Sequence, residues 1–172
     1  MRRSGLVVLL AIVLAGCAVP WSQPEPPPTD MAVKPVGPVV EIGRGVSAGI
    51  AWRYSVYESR LGMCTRAELN GREGGLNCGI TFGAEPPGGA IGLMGVGTST
   101  GMPSQVEGFA SDEVAAVWIE TDAGRVPATI MSLGPAGQAG QFFFALIPER
   151  RSLEEAVAVD AGGGELARVD LR

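Results

Sequence analysis

Beyond residue 45 the chain alternates large apolar side chains with smaller or more polar ones at a period of two. Ile50, Trp52, Tyr54 and Val56 interleave with Ala51, Arg53, Ser55 and Tyr57, and Leu76, Cys78, Ile80 and Phe82 alternate likewise. A strand turns successive side chains to opposite faces, so this period predicts strands in a sheet with one buried side. Further candidates are 114–120 (VAAVWIE), 126–131 (VPATIM), 141–147 (QFFFALI), 155–159 (EAVAV) and 165–171 (ELARVDL). Each is short and rich in β-branched or aromatic residues. Turn signals separate them at Gly71 to Gly75, Pro86-Pro87-Gly88-Gly89, Asp122-Ala123-Gly124, Gly134-Pro135 and Asp160 to Gly164. Three hairpins are expected: 63–82 around the glycines, 114–131 around Asp-Ala-Gly, and 155–171 around Ala-Gly-Gly-Gly. The segment 88–108 is poor in large apolar residues and reads as a loose edge strand or a long loop. The fold class expected is all-β, an antiparallel immunoglobulin-like sandwich, with a small β-barrel as the alternative.

A different pattern governs the first 38 residues. Met1-Arg2-Arg3 is followed by an uncharged apolar run from Leu6 to Ala15. That run is too short for a spanning helix, which needs about 20 residues. It fits a secretory signal peptide over residues 1–16. The run ends in Leu14-Ala15-Gly16-Cys17, which resembles the lipobox of bacterial lipoproteins: an aliphatic residue, two small ones and a cysteine. The resemblance implies that Cys17 takes a diacylglyceryl group as a thioether and becomes the N-terminus after cleavage. Each buried methylene adds about 0.8 kcal/mol of membrane affinity, so two or three palmitate-type chains would anchor the protein stably. The alternative is a plain secreted protein. Residues 18–38 hold seven of the thirteen prolines, and together with Cys17 they form the expected tether. Such a stretch forms neither helix nor ladder. Extended as polyproline II at about 3.1 Å per residue, it could hold a domain up to roughly 65 Å from the bilayer. Residues 39–172 then form a single domain, large enough to bury a core.

Three cysteines are an odd number for an extracytoplasmic chain. Lipid on Cys17 accounts for one. Cys64 and Cys78 are symmetric about Gly71, so they can face each other across the first hairpin and form a disulfide in some registers. Closing that loop would stabilise the domain by about 3 kcal/mol in the chain-entropy model. The competing reading is a redox pair, although the spacing is not C-x-x-C.

Composition removes much chemistry. The chain has no histidine, which excludes Ser-His-Asp and Cys-His catalysis and the HExxH zinc proteases. Its single lysine, Lys34, lies in the tether, so a buried catalytic lysine is not expected. No P-loop or dinucleotide fingerprint is present, and no cofactor or metal is expected. Carboxylates remain. Asp112-Glu113 and Glu154-Glu155 are adjacent, which in a strand would send them to opposite faces. They read as turn acids, as do Asp122 and Asp160 at hairpin loops. No catalytic residue is therefore assigned. Loss of Arg2 and Arg3 with the signal peptide leaves 11 basic and 18 acidic residues, a net charge of −7. That argues against nucleic acid and against flat binding to anionic lipid.

Aromatic residues are the remaining candidates for a binding surface. Trp52 and Tyr54 lie on the first strand, Trp118 on a later one, and Phe142-Phe143-Phe144 on another. Three consecutive phenylalanines put at least one ring opposite its neighbours. Trp52, Tyr54, Trp118 and Phe143 are the candidate interaction surface, with burial in the core as the competing reading.

Three stretches carry a wider resemblance: Trp52, Tyr54, Cys64 and Cys78 at the start, VEGFASDEVAAVWIETDAGRVPATI at 106–130, and FFFALIP…VAVDAGGGELARV at 142–169. They resemble a group of uncharacterised secreted or lipid-anchored β-sandwich proteins of high-GC Gram-positive bacteria. The motifs are strand edges and turn glycines, so the resemblance implies a fold and brings no catalytic residues. The expected protein is an extracytoplasmic, lipid-anchored, non-enzymatic interaction module. Its partners would be the membrane through Cys17 and an envelope protein or cell-wall glycan. The alternatives are a carboxylate-dependent enzyme on cell-wall glycan and a sensory lipoprotein acting on a membrane regulator.

Overall fold

The computed structural model describes residues 32–81, 89–97, 103–148 and 151–172. The signal peptide, Cys17, most of the tether, Phe82 and the Pro86-Pro87-Gly88 turn lie outside the described residues. The described chain is all-β and antiparallel, with one 3-10 turn at Gly134–Ala136. It contains three four-stranded sheets.

The first sheet is a meander of β1 (Val40–Ser47), β2 (Ile50–Ser59), β3 (Gly62–Leu69) and β4 (Arg72–Ile80). The second has the order β5-β6-β10-β9, built from β5 (Ile91–Gly97), β6 (Ser104–Ala110), β9 (Thr129–Ser132) and β10 (Gln141–Ile147). The third has the order β12-β11-β7-β8, built from β7 (Ala116–Thr121), β8 (Gly124–Pro127), β11 (Leu153–Val159) and β12 (Glu165–Asp170). All three expected hairpins form, as β3–β4, β7–β8 and β11–β12.

The second sheet is the middle layer, and β10 shows why. Its residues Phe142 to Ile147 are all buried, so neither face meets water. Phe142, Phe144 and Leu146 pack against Trp52, Tyr54, Val56, Ala67 and Leu69 of the first sheet. Phe143, Ala145 and Ile147 turn the other way, onto Val117, Ile119, Ala156 and Ala158 of the third. The sandwich therefore has three layers and two cores. β8 and β9 run on through Ala128 from the third sheet into the second, and β12 lies beside β5 on the opposite side. No sheet closes into a barrel among the described residues.

Two expectations need correction. Residues 88–108 are expected to form a loose edge strand or a long loop, and β5 is an edge strand. β6, however, is an inner strand paired on both sides. Its glutamate and glycine lower its apolar content, but Glu107 bonds to the first sheet and Gly108 makes room for Gly92 and the Phe143 ring of the adjacent strands. β1 carries no period-two apolar signal, because Gly43 and Gly45 leave the Trp52 ring to cover its inner face.

The end of the tether lies on the first sheet. Val36 N–H donates to Glu58 O at 2.9 Å, and Tyr57 Oη donates to Val33 O at 3.0 Å. Tyr57 points away from the second sheet, on the same face as Cys64 and Arg66, and is nevertheless only 3% exposed. Residues 33–36 and Arg66, whose guanidinium lies 5.7 Å from the Tyr57 ring centre, help to cover it.

Candidate functional site

Cys64 and Cys78 are bonded, with Cα atoms 4.1 Å apart. The register that joins them depends on a bulge. Asn70 and Gly71 form the turn, both at positive φ. Leu69 pairs with Arg72 and Glu68 with Glu73, but Ala67 pairs with Gly75. Gly74 is the extra residue, and a Cβ there would stand 2.6 Å from Leu69 Cγ. Without this bulge, Asn77 rather than Cys78 would oppose Cys64.

Of the aromatic residues expected at a surface, three are in the cores. Trp52 and Tyr54 pack between the first and second sheets, and Phe143 between the second and third. They are 5%, 1% and 0% exposed, so these three do not form a platform. The cause is the third layer: each face of the middle sheet is covered, and no outward ring is left on β10. Trp52 meets Phe144 edge-on at 5.4 Å, and its Nε1 has no acceptor. Trp118 alone lies on an outward face, half-buried beside Pro127 and Val157 on the third sheet.

The first and second sheets also enclose a carboxyl group that sequence reasoning did not single out. Glu107 lies on β6, facing the first sheet, and is 7% exposed. Tyr54 Oη donates to its Oε2 and Asn77 Nδ2 donates to its Oε1. Thr65 Oγ1 lies 3.4 Å from the Tyr54 hydroxyl, and Gln105 Nε2 donates to Gly74 O at 3.0 Å. Together these bonds tie β6 to β2 and β4 across the layer boundary. Burial pushes the Glu107 carboxyl above its ordinary value, and the bonds from Tyr54 and Asn77 only partly offset this. Burial, with the Glu107 charge nearby, also holds the Tyr54 phenol well above its usual range. A sequence signal did exist: a glutamate in mid-strand, two residues from Gln105 and Phe109 on the same face. The low apolar content of 88–108 masks the inner strand that carries it.

Two openings reach these elements. A cleft of about 220 Å³ lies between β4 and the β5–β6 edge, lined by Gly74, Gly95, Gln105, Asn77 and Glu107 among others. A wider depression of about 440 Å³ lies on the first sheet, bordered by Arg44, Val46, Ala51, Trp52, Arg53 and Glu68. The turn acids Asp112, Glu113, Asp122, Glu154 and Asp160 are spread over loops and strand ends, with Glu155 within β11. Asp160 accepts from Gly162 and Gly164 N–H, both at 2.8 Å, which is turn chemistry. No group of three metal-ligating side chains occurs among the described residues. No helix of the described residues is long and apolar enough to cross a membrane. Comparison with family models, with curated proteins and with solved structures returned no match.

Proposed function

We propose that this protein is a lipid-anchored, extracytoplasmic binding module rather than an enzyme. Cys17 holds it to the membrane, and the β domain presents its outer faces to an envelope protein or a wall glycan. The observation that carries this reading is the bonding of Glu107. Burial raises its affinity for its proton, yet both its oxygens accept bonds from Tyr54 and Asn77 of the same chain. A general acid must deliver its proton to a substrate atom within hydrogen-bond reach. Glu107 instead bolts two sheets together. A glycosidase would also need a second carboxyl about 5–10 Å away, and Glu107 is the one acid lining its cleft among the described residues. Among the described residues the outward aromatic left for recognition is Trp118, whose ring could stack on a sugar or a partner's apolar side chain.

The test is retention without turnover. The mature chain is incubated with isolated wall material and with detergent-solubilised envelope proteins. Saturable retention that weakens in Trp118→Ala, with no release of soluble glycan, is expected. Glycan release abolished by Glu107→Gln would overturn the reading. Mass spectrometry of the full-length protein from its host should show acyl mass on Cys17, absent in Cys17→Ser.

A further inference from the structure

The charge of the molecule is divided by layer. Residues 32–81, which form the first sheet and its lead-in, hold six basic residues against four glutamates. Residues 89–172, which form the other two sheets, hold five arginines against eleven acids. The net charge of −7 therefore divides into +2 over residues 32–81, −6 over residues 89–172, and −3 from Glu25, Asp30 and Glu85 outside both stretches. The first and third sheets are the two outer layers, so the division runs across the thickness of the sandwich.

On the outward face of the first sheet the arginines stand outside their partners. Arg44 pairs with Glu41, and the side chains are 75% and 29% exposed. Arg53 pairs with Glu68, at 50% and 17%. In these two pairs the cation faces solvent and the anion lies beneath, whereas Glu58 and Glu73 of the same layer are exposed. These two arginines border the depression of about 440 Å³, with Val46 and Ala51 as its apolar part. Four of the five exposed large apolar side chains among the described residues belong to this layer: Val36, Val39, Val46 and Leu61. Leu61 and Arg60 form the β2–β3 tip, and Val36 is hydrogen-bonded to Glu58 next to it. The chain that leads back towards Cys17 crosses this same face at Val33.

We propose that the outward face of the first sheet docks on an anionic phospholipid bilayer. This rests on the lipid-anchor reading, because the tether is what brings this face, and not the acidic third sheet, back to the membrane. Phospholipid phosphates would sit against Arg44 and Arg53, with Val36, Val46 and Leu61 meeting the interface. The flat repulsion expected from the total charge does not apply. Screening confines the interaction to the nearest layer, and eleven of the acids lie beyond it, in residues 89–172. Trp118 then faces away from the bilayer, free to meet its partner.

The test uses the mature chain coupled through Cys17, its free thiol once Cys64 and Cys78 are bonded, to a maleimide lipid. It is carried on vesicles of equimolar phosphatidylglycerol and phosphatidylcholine, and on phosphatidylcholine alone. Amide exchange at residues 36–61 should slow on the anionic vesicles only. High salt should abolish the effect. Arg44→Gln with Arg53→Gln should lower the docked population about tenfold or more, whereas Arg168→Gln on the third sheet should not. Equal exchange on both vesicle types, or equal sensitivity to Arg168→Gln, would overturn the proposal. Synthetic coupling supplies the anchor whatever the host does. A failed docking result and an absence of native acylation are therefore separate outcomes.

Discussion

Gly108 has no room for a side chain. A Cβ there would stand 2.2 Å from Gly92 O and 2.7 Å from the Phe143 ring. One neighbour is backbone of the adjacent strand, and the other is fully buried, so neither can move aside cheaply. Gly108→Ala should cost at least the upper part of the ~1–3 kcal/mol range for overpacking, read as a lower urea midpoint. Glu107 gives a prediction with a sign. Its folded-state proton affinity is raised by burial. Between the ordinary carboxylate value and that raised value, the folded chain keeps a proton that the unfolded chain releases. Its contribution is therefore most favourable at low pH and is lost as pH rises through the raised value. The stability of wild type relative to Glu107→Gln should be greater near about pH 5 than near about pH 8. A gap that does not change with pH would contradict this account.

At the scale of elements, β10 and the β3–β4 hairpin make the strongest statements. A strand buried on both faces has no tolerant positions. Phe143→Ala and Phe144→Ala, which open different cores, should each cost about 3–5 kcal/mol. If β10 had a solvent face, one of the two would be nearly neutral. The disulfide closes a loop of sequence separation 14. Cys64→Ala with Cys78→Ala should lower stability by about 3 kcal/mol in denaturant titration. Thiol titration of the unfolded, unreduced mature chain should find no free thiol at either position. Symmetry about Gly71 made this pair legible in advance. The symmetry holds only because the Gly74 bulge shifts the ladder by one residue.

For the whole molecule, the middle sheet couples everything, since it supplies one wall of each core. Unfolding should then be a single transition. Trp52 lies in the core between the first and second sheets, and Trp118 lies on the far face of the third. In a Trp21→Phe background, fluorescence from a Trp52→Phe variant and from a Trp118→Phe variant should report coincident midpoints, scaled for each variant's stability, when compared with circular dichroism. Separate transitions would mean that the two cores are independent units. The same layering separates the charge, because the first sheet is one continuous stretch of sequence and the acidic strands all follow it.

Local patterning determined most of the strands, the three hairpins and the cysteine pair, because each depends on side-chain period or on residues close in sequence. The apolar run QFFFALI also carried the sign of a doubly buried strand. Tertiary structure alone decided which face each aromatic residue meets, since burial of an outward ring depends on a layer that arrives from distant sequence. It also decided that Glu107 would meet Tyr54 and Asn77, 53 and 30 residues away. Composition reports only the sum of the charges. The stacking order of the sheets sets them on opposite sides.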